Sequence, residues 1–141
     1  MMLFLSMALL GSIAAHGEQA YPAEGAGFLL GTDQDDRVVH DLVFAANTRE
    51  LPARSRRYLI DPQEYIAAEI ESEQRGLELL GVFHSHPDHP SAPSEYDREW
   101  AQPSFSYIIT SIQSGKAGDS RSWRLDDDRN RFVEEEIRIT D

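Results

Sequence analysis

The chain contains no cysteine. It therefore has no disulfide, and no thiolate can help to hold a metal, so any metal must rest on His, Asp or Glu. The absence also fits a reducing cytoplasm, the expected location. Basic charge is scarce: 13 Lys and Arg against 25 Asp and Glu give a net charge of −12. A surface of that sign argues against nucleic acid as a partner, because phosphate binding needs a basic face. It favours a protein partner with a neutral or basic face. Long apolar runs are missing too. The apolar stretch at residues 1–10 is broken at Gly11 and Ser12, too short to span a bilayer. No Lys or Arg precedes it, so it lacks the charged start of a secretory signal. Ser6 instead suits the N-cap of a helix over about 7–19, with Leu9, Leu10 and Ile13 at helical spacing. There is no internal repeat and no low-complexity linker. A length of 141 residues, 40% of them hydrophobic, predicts one domain over 1–141 with a core of its own.

The most informative stretch is His84-Ser85-His86-Pro87, followed after Pro90 and Pro93 by Ser94-Glu95-Tyr96-Asp97. It reads H-x-H, seven residues, then S-x-x-D. Two imidazoles and one carboxylate supply three ligands to a tetrahedral Zn²⁺ and leave the fourth position open, as in catalytic rather than structural zinc sites. The apolar run over 79–83 is of strand type, and residues i and i+2 of a strand point to one side, so His84 and His86 converge. The prolines make a stiff loop. Ser94 has the spacing of a helix N-cap with Asp97 at the third helical position, a capping box found on many ordinary helices. That geometry also brings both side chains to the helix mouth facing the histidines, so capping and chemistry are compatible.

The remaining elements alternate. A strand over 27–31 and a second over 38–45 form a hairpin around a polar turn at 32–36. A basic loop over 47–57 carries Arg49, Arg54, Arg56 and Arg57, and a short strand over 58–60 follows. Asp61 as N-cap and Pro62 at the first position start a helix that stops at Gly76. After the histidine strand come a helix from Ser94 to about Ala101, a strand over 106–111, a turn over 115–119, and paired strands over 122–125 and 132–139. The class is α/β: a mixed sheet flanked by two to three helices.

These residues resemble the JAMM (MPN+) metalloprotease motif, whose family includes deubiquitinating enzymes and small prokaryotic relatives. The resemblance extends upstream, where Glu24-Gly25-Ala26-Gly27-Phe28-Leu29-Leu30-Gly31 looks like the family's E-x-x-G-hydrophobic-L-x-G segment. It extends downstream through residues 107–111 and 123–125. It implies a single MPN (JAMM) domain, with His84, His86 and Asp97 as zinc ligands. It also implies Glu24 as general acid/base and Ser94 as hydrogen-bond donor to the oxyanion. Within the family the chain is most similar to small bacterial enzymes that process ubiquitin-like sulfur-carrier proteins. The implied substrate is then the C-terminal Gly-Gly tail of such a protein, with removal of a modifier from lysine as an alternative. One departure is visible: where small relatives often carry cysteine, this chain has Ala26.

Blander readings stand beside these. Proteins of this fold without the motif act as non-catalytic interaction modules, and a hydrolase of small amides would need no protein partner. His89 falls outside the motif spacing and reads as solvent-exposed. Asp88 reads as a loop acid facing water, or as an orienter of a ligating histidine. His16 and His40 carry no expected role. Trp100 and Trp123 read as core or rim. The acids at 33–36, 126–128 and 134–136 read as a solvated turn and tail, or as a docking surface for a basic partner. The arginines of 49–57 read as a solvated loop, or as contacts for a substrate carboxylate.

Overall fold

The computed structural model describes residues 1–45 and 60–141. Within them run β1 (Met2–Leu5), α1 (Met7–Ala20), β2 (Ala26–Asp33), β3 (Arg37–Ala45), α2 (Pro62–Gln74), β4 (Glu78–Pro87), α3 (Glu95–Trp100), β5 (Ser106–Gln113), β6 (Lys116–Leu125) and β7 (Phe132–Ile139). The expected basic loop and residues 58 and 59 of the expected short strand lie outside the described residues; Ile60 is buried without regular structure. The sheet is mixed, as expected. β1 is parallel to β3 and β7, and β4 to β5, while the other pairs are antiparallel. It is also closed. The strand order β1-β3-β2-β4-β5-β6-β7 returns from β7 to β1, where Leu3 pairs with both Arg37 and Ile137. The N-terminal apolar residues thus form a barrel strand and then α1, capped by Ser6 Oγ on the Leu9 N–H at 3.1 Å.

β2 and β4 run through the middle with both faces covered. Phe28, Leu30, Val82 and Tyr107 belong to one apolar cluster, backed by Ala68 of α2 and by Ala101. Leu29, Phe83 and Ile108 belong to a second, with Ile13 of α1 and Leu3 and Leu5 of β1. One irregularity sets the phase between them. In the β2–β4 pairing, Leu29 faces Gly81 and Leu30 faces Leu79, so Leu80 is an extra, bulged residue. Leu79 and Val82 can therefore share the first cluster while Leu80 and Phe83 share the second.

Two expectations need correction. The turn after β5 is tighter than 115–119: Gln113 pairs with Lys116, and Ser114 and Gly115 turn the chain at φ 50° and 85°. Two-residue hairpins favour positive φ at both turn positions, which frees residues 116–119 to lengthen β6. The acids at 134–136 are not all solvated. In β7 the alternation sends Glu135 inward, 1% exposed, to accept the Ser122 hydroxyl at 2.7 Å and pair with Arg124. Of the tryptophans read as core or rim, Trp100 is rim, 64% exposed, and Trp123 is half-buried and donates its indole N–H to Ser91 O. Asp61 caps α2 as expected, accepting the Gln63 N–H at 2.9 Å, and Gly76 follows the helix at φ 71°. Among the described residues no helix is long and apolar enough to cross a membrane.

Gly81 and Gly11 make opposite predictions. A Cβ on Gly81 would overlap the Ser106 carbonyl oxygen, and the strand backbone cannot retreat. Gly81→Ala should cost about 3 kcal/mol, read as a lower denaturation midpoint. A Cβ on Gly11 meets nothing within 4 Å on the exposed side of α1. Gly11→Ala should raise stability by about 0.5–1 kcal/mol through helix propensity.

Candidate metal centre and active site

Parity along β4 builds the site. His84 pairs with Ala26 on the face that carries Val82 and Phe28, and His86 lies on the same face one pleat further on. Their ring centroids are 5.0 Å apart. Ser85 points the other way, toward α1. Both histidines are buried, His84 1% and His86 7% exposed. The Ala26 position, where a thiol was expected in relatives, thus stands directly across the strand pair from His84.

The loop after β4 turns back over the site and α3 opens at its rim. Ser94 Oγ accepts the Asp97 N–H at 3.2 Å and Asp97 Oδ2 accepts the Ser94 N–H at 2.8 Å, the reciprocal capping box expected from the spacing. The box fixes the Asp97 carboxylate over the histidines. Its Oδ1 lies 3.6 Å from His84 Nε2 and its Oδ2 lies 3.2 Å from His86 Nε2. His86 Nδ1 lies 2.8 Å from Pro90 O. A carbonyl can only accept, so Nδ1 donates to Pro90; the ionised Asp97 carboxylate likewise only accepts, so the hydrogen bond at Nε2 is made by a second proton, which a metal would replace.

Glu24 comes from the turn between α1 and β2. It is 2% exposed, with Oε1 3.5 Å from His84 Nδ1, across the ring from Asp97. One donor atom each from Glu24, His84 and His86 lies within 4.8 Å of the others. The site therefore holds two nitrogens and two carboxylates, and two three-ligand sets can be drawn from it, one using Asp97 and one using Glu24.

Burial alone would raise the Asp97 carboxyl. The charges of His84 and His86, the His86 hydrogen bond and the Ser94 N–H outweigh it and hold the group well below the ordinary carboxylate range. For His86 burial works toward neutrality, but the Asp97 hydrogen bond and charge, the Pro90 carbonyl and Glu24 prevail and raise it. The donors suit zinc. Ligands about 2.0–2.1 Å from a tetrahedral ion lie about 3.4 Å apart, close to the separations that the Asp97 oxygens keep from the two Nε2 atoms. Ser94 is exposed at the mouth, and its hydroxyl hydrogen remains free to donate because its oxygen is the acceptor in the cap.

All five residues singled out from the sequence come together here. Others in the neighbourhood escaped it. Ser85 Oγ accepts the Gly25 N–H at 2.8 Å, next to Glu24. The signal was present: the middle residue of H-x-H faces away from the histidines, and a buried hydroxyl there needs a partner. His16 packs its ring against Phe44 at 4.8 Å and Phe83 at 5.9 Å, and burial lowers its pKa. Asp88 does not simply face water, since it accepts the Tyr21 hydroxyl at 2.6 Å. His89 is exposed, as expected, and contributes its carbonyl to the Ser111 hydroxyl at 2.7 Å. Among the described residues, a groove of about 770 Å³ starts at Asp97 and Tyr96 and continues past Trp100, Tyr65 and Ile66.

Known proteins resemble this chain in sequence and in fold. The chain is 32% identical over 109 residues to a probable TtuB-protein conjugate cleaving protease of Thermus thermophilus, covering 77% of this chain and 70% of that one. It is 34% identical over 105 residues to a desampylase of Haloferax volcanii, covering 71% and 73%. The fold is that of AF2198, a JAB1/MPN domain protein from Archaeoglobus fulgidus, at a TM-score of 0.59 and 20% identity, covering 96% of this chain and 98% of that one. The sequence profile described as prokaryotic homologs of the JAB domain (Prok-JAB) matches residues 6–126. With the α/β JAB/MPN fold around the site and a profile match over most of its length, the chain belongs to the prokaryotic JAB-domain family.

Proposed function

We propose that this chain is a zinc-dependent peptidase that hydrolyses an amide bond at the C-terminal Gly-Gly tail of a ubiquitin-like protein. The observation that carries the reading is the convergence of His84 Nε2, His86 Nε2 and the Asp97 carboxylate, with Glu24 buried beside them. His84, His86 and Asp97 would hold the ion. A bound zinc polarises the scissile carbonyl and lowers the pKa of a water toward neutrality. Glu24 takes the proton of the attacking water and returns it to the leaving amine. Its burial keeps bulk water from competing for that proton. The Ser94 hydroxyl donates to the developing oxyanion, a contribution of about 3 kcal/mol for comparable donors. Pro90 O holds the Nδ1 proton of His86, so Nε2 is the nitrogen that would exchange its proton for the metal.

The substrate reading is supported by the names of the relatives, one a protease of TtuB conjugates and one a desampylase. A glycine tail suits the site because its backbone can approach closely. The groove leading from Asp97 past the exposed Trp100 offers apolar surface to the body of such a partner. A carrier with an extension or adduct beyond Gly-Gly, offered beside a lysine isopeptide conjugate, separates the sulfur-carrier reading from the isopeptidase one. Failure to cleave either, with short peptides cut instead, would favour a hydrolase of small amides; failure with all three would leave the interaction module.

The two three-ligand sets predict different metal contents, measured by elemental mass spectrometry on tag-free protein. About one zinc per chain is expected in the wild type and in Glu24→Gln, and little in His86→Ala or Asp97→Asn. Zinc lost from Glu24→Gln but kept in Asp97→Asn would make Glu24 the ligand. Turnover should nearly vanish in Glu24→Gln. In Ser94→Ala, kcat should fall about 10²- to 10³-fold with zinc retained, and Ser94→Thr, which keeps cap and donor, should recover most of it. Metal uptake must displace the proton that Asp97 helps His86 to hold. Because the His86 pKa is raised, zinc affinity should weaken as pH falls through and below its folded value, seen in chelator competition at stepped pH.

A further inference from the structure

The segment carrying Glu24 is tied to the histidine strand at two places. One is buried: Ser85 Oγ accepts the Gly25 N–H at 2.8 Å, and the Ser85 N–H donates to Gly25 O at 3.0 Å. The other is at the surface, where the Tyr21 hydroxyl donates to Asp88 Oδ2 at 2.6 Å. Asp88 stands two residues after His86, at a φ of 58°. A non-glycine residue adopts that left-handed conformation at a cost, which Asp tolerates better than most. It is held there from two sides. The Asp88 N–H donates to Ile112 O at 2.7 Å, and the Ser114 N–H donates to Asp88 Oδ1 at 2.8 Å. Each carboxylate oxygen therefore answers a different segment, Oδ1 the β5–β6 turn and Oδ2 the turn that leads to Glu24.

We propose that Tyr21 and Asp88 form a latch that fixes the Glu24 carboxylate beside His84, which makes both of them positioning residues for the proton transfer assigned to Glu24; the inference rests on that assignment. The Ser85 bonds hold the chain just after Glu24. Before Glu24, the Ala23 N–H turns back to Ala20 O at 2.8 Å and Pro22 has no N–H to give, so it is the Tyr21 hydroxyl that reaches across to the histidine strand. The two anchors bracket Glu24, and between them its backbone has little room to pivot. An exposed hydrogen bond adds little to global stability. A left-handed aspartate that the β5–β6 turn holds by Oδ1 presents Oδ2 to Tyr21 from a fixed place beside the site, which suits a positioning role. A reacting group displaced by about 1 Å can lose up to about a hundredfold in rate, so a latch of this kind is felt in turnover.

The test uses Tyr21→Phe and Asp88→Ala, with Asp88→Asn as the conservative variant. In both disruptive variants, zinc content should be unchanged and the Gly25 amide should exchange with solvent about tenfold faster, while amides in the middle of β4 and β5 keep their protection. The kcat should fall about tenfold with KM unchanged, and Asp88→Asn, which keeps one acceptor oxygen, should recover part of it. Placed in the Glu24→Gln background, Tyr21→Phe should cause no further loss, because it acts through Glu24. Gly25 exchange at the wild-type rate in both variants, or a full second loss on top of Glu24→Gln, would overturn the latch. A wild-type protein that binds zinc but cleaves no amide would remove the peptidase reading instead, and the Gly25 exchange rates would still decide whether the latch exists.

Discussion

The site depends on the pleat of one buried strand. β4 is paired on both edges, by β2 and β5, and carries an apolar cluster on each face, so each residue is committed to one side by its parity. His84 and His86 go to the side where α3 arrives, and Ser85 goes to the side of α1. A one-residue slip would exchange the histidines for Ser85 and Phe83 and destroy the site. The bulge at Leu80 sets this phase. It lets Leu79 and Leu80 fill opposite clusters and delivers the strand to His84 in the correct orientation.

Charge is concentrated where it can be compensated. The chain is strongly acidic, yet among the described residues the buried acids are few and each has a cationic or imidazole neighbour. Glu135 meets Arg124, Asp97 meets two histidines, and Glu24 lies beside His84. Unpaired buried carboxylates would be protonated rather than tolerated. Asp97 illustrates the economy of the arrangement. The same carboxylate oxygen that completes the α3 capping box faces His86 Nε2, so the helix start and the donor set depend on one side chain.

Much of this was legible in the sequence. H-x-H at the end of an apolar strand, followed by S-x-x-D, described His84, His86, Ser94 and Asp97 through local periodicities alone. The caps of α1 and α2 were equally local. Glu24 was reached through resemblance, because nothing near it in sequence says that the turn after α1 packs beside the histidines. Contacts across the chain were less visible. Ser85–Gly25 and Tyr21–Asp88 join residues 60 and 67 positions apart, and Glu135 turned inward because a partner strand supplied Ser122 and Arg124. The extension of β6 to Lys116 followed from a two-residue turn whose positive φ at Ser114 no propensity demands.

β1 has only four residues, yet it is hydrogen-bonded on both sides, to β3 and to β7. Its second partner is the last strand of the sheet. Contacts of such sequence separation cost loop-closure entropy before they contribute anything, and they slow folding. During synthesis, β1 must therefore wait with an open edge until Phe132–Ile139 has left the ribosome. The first strand made is among the last to be secured, and in that interval its apolar face is available to chaperones or to aggregation.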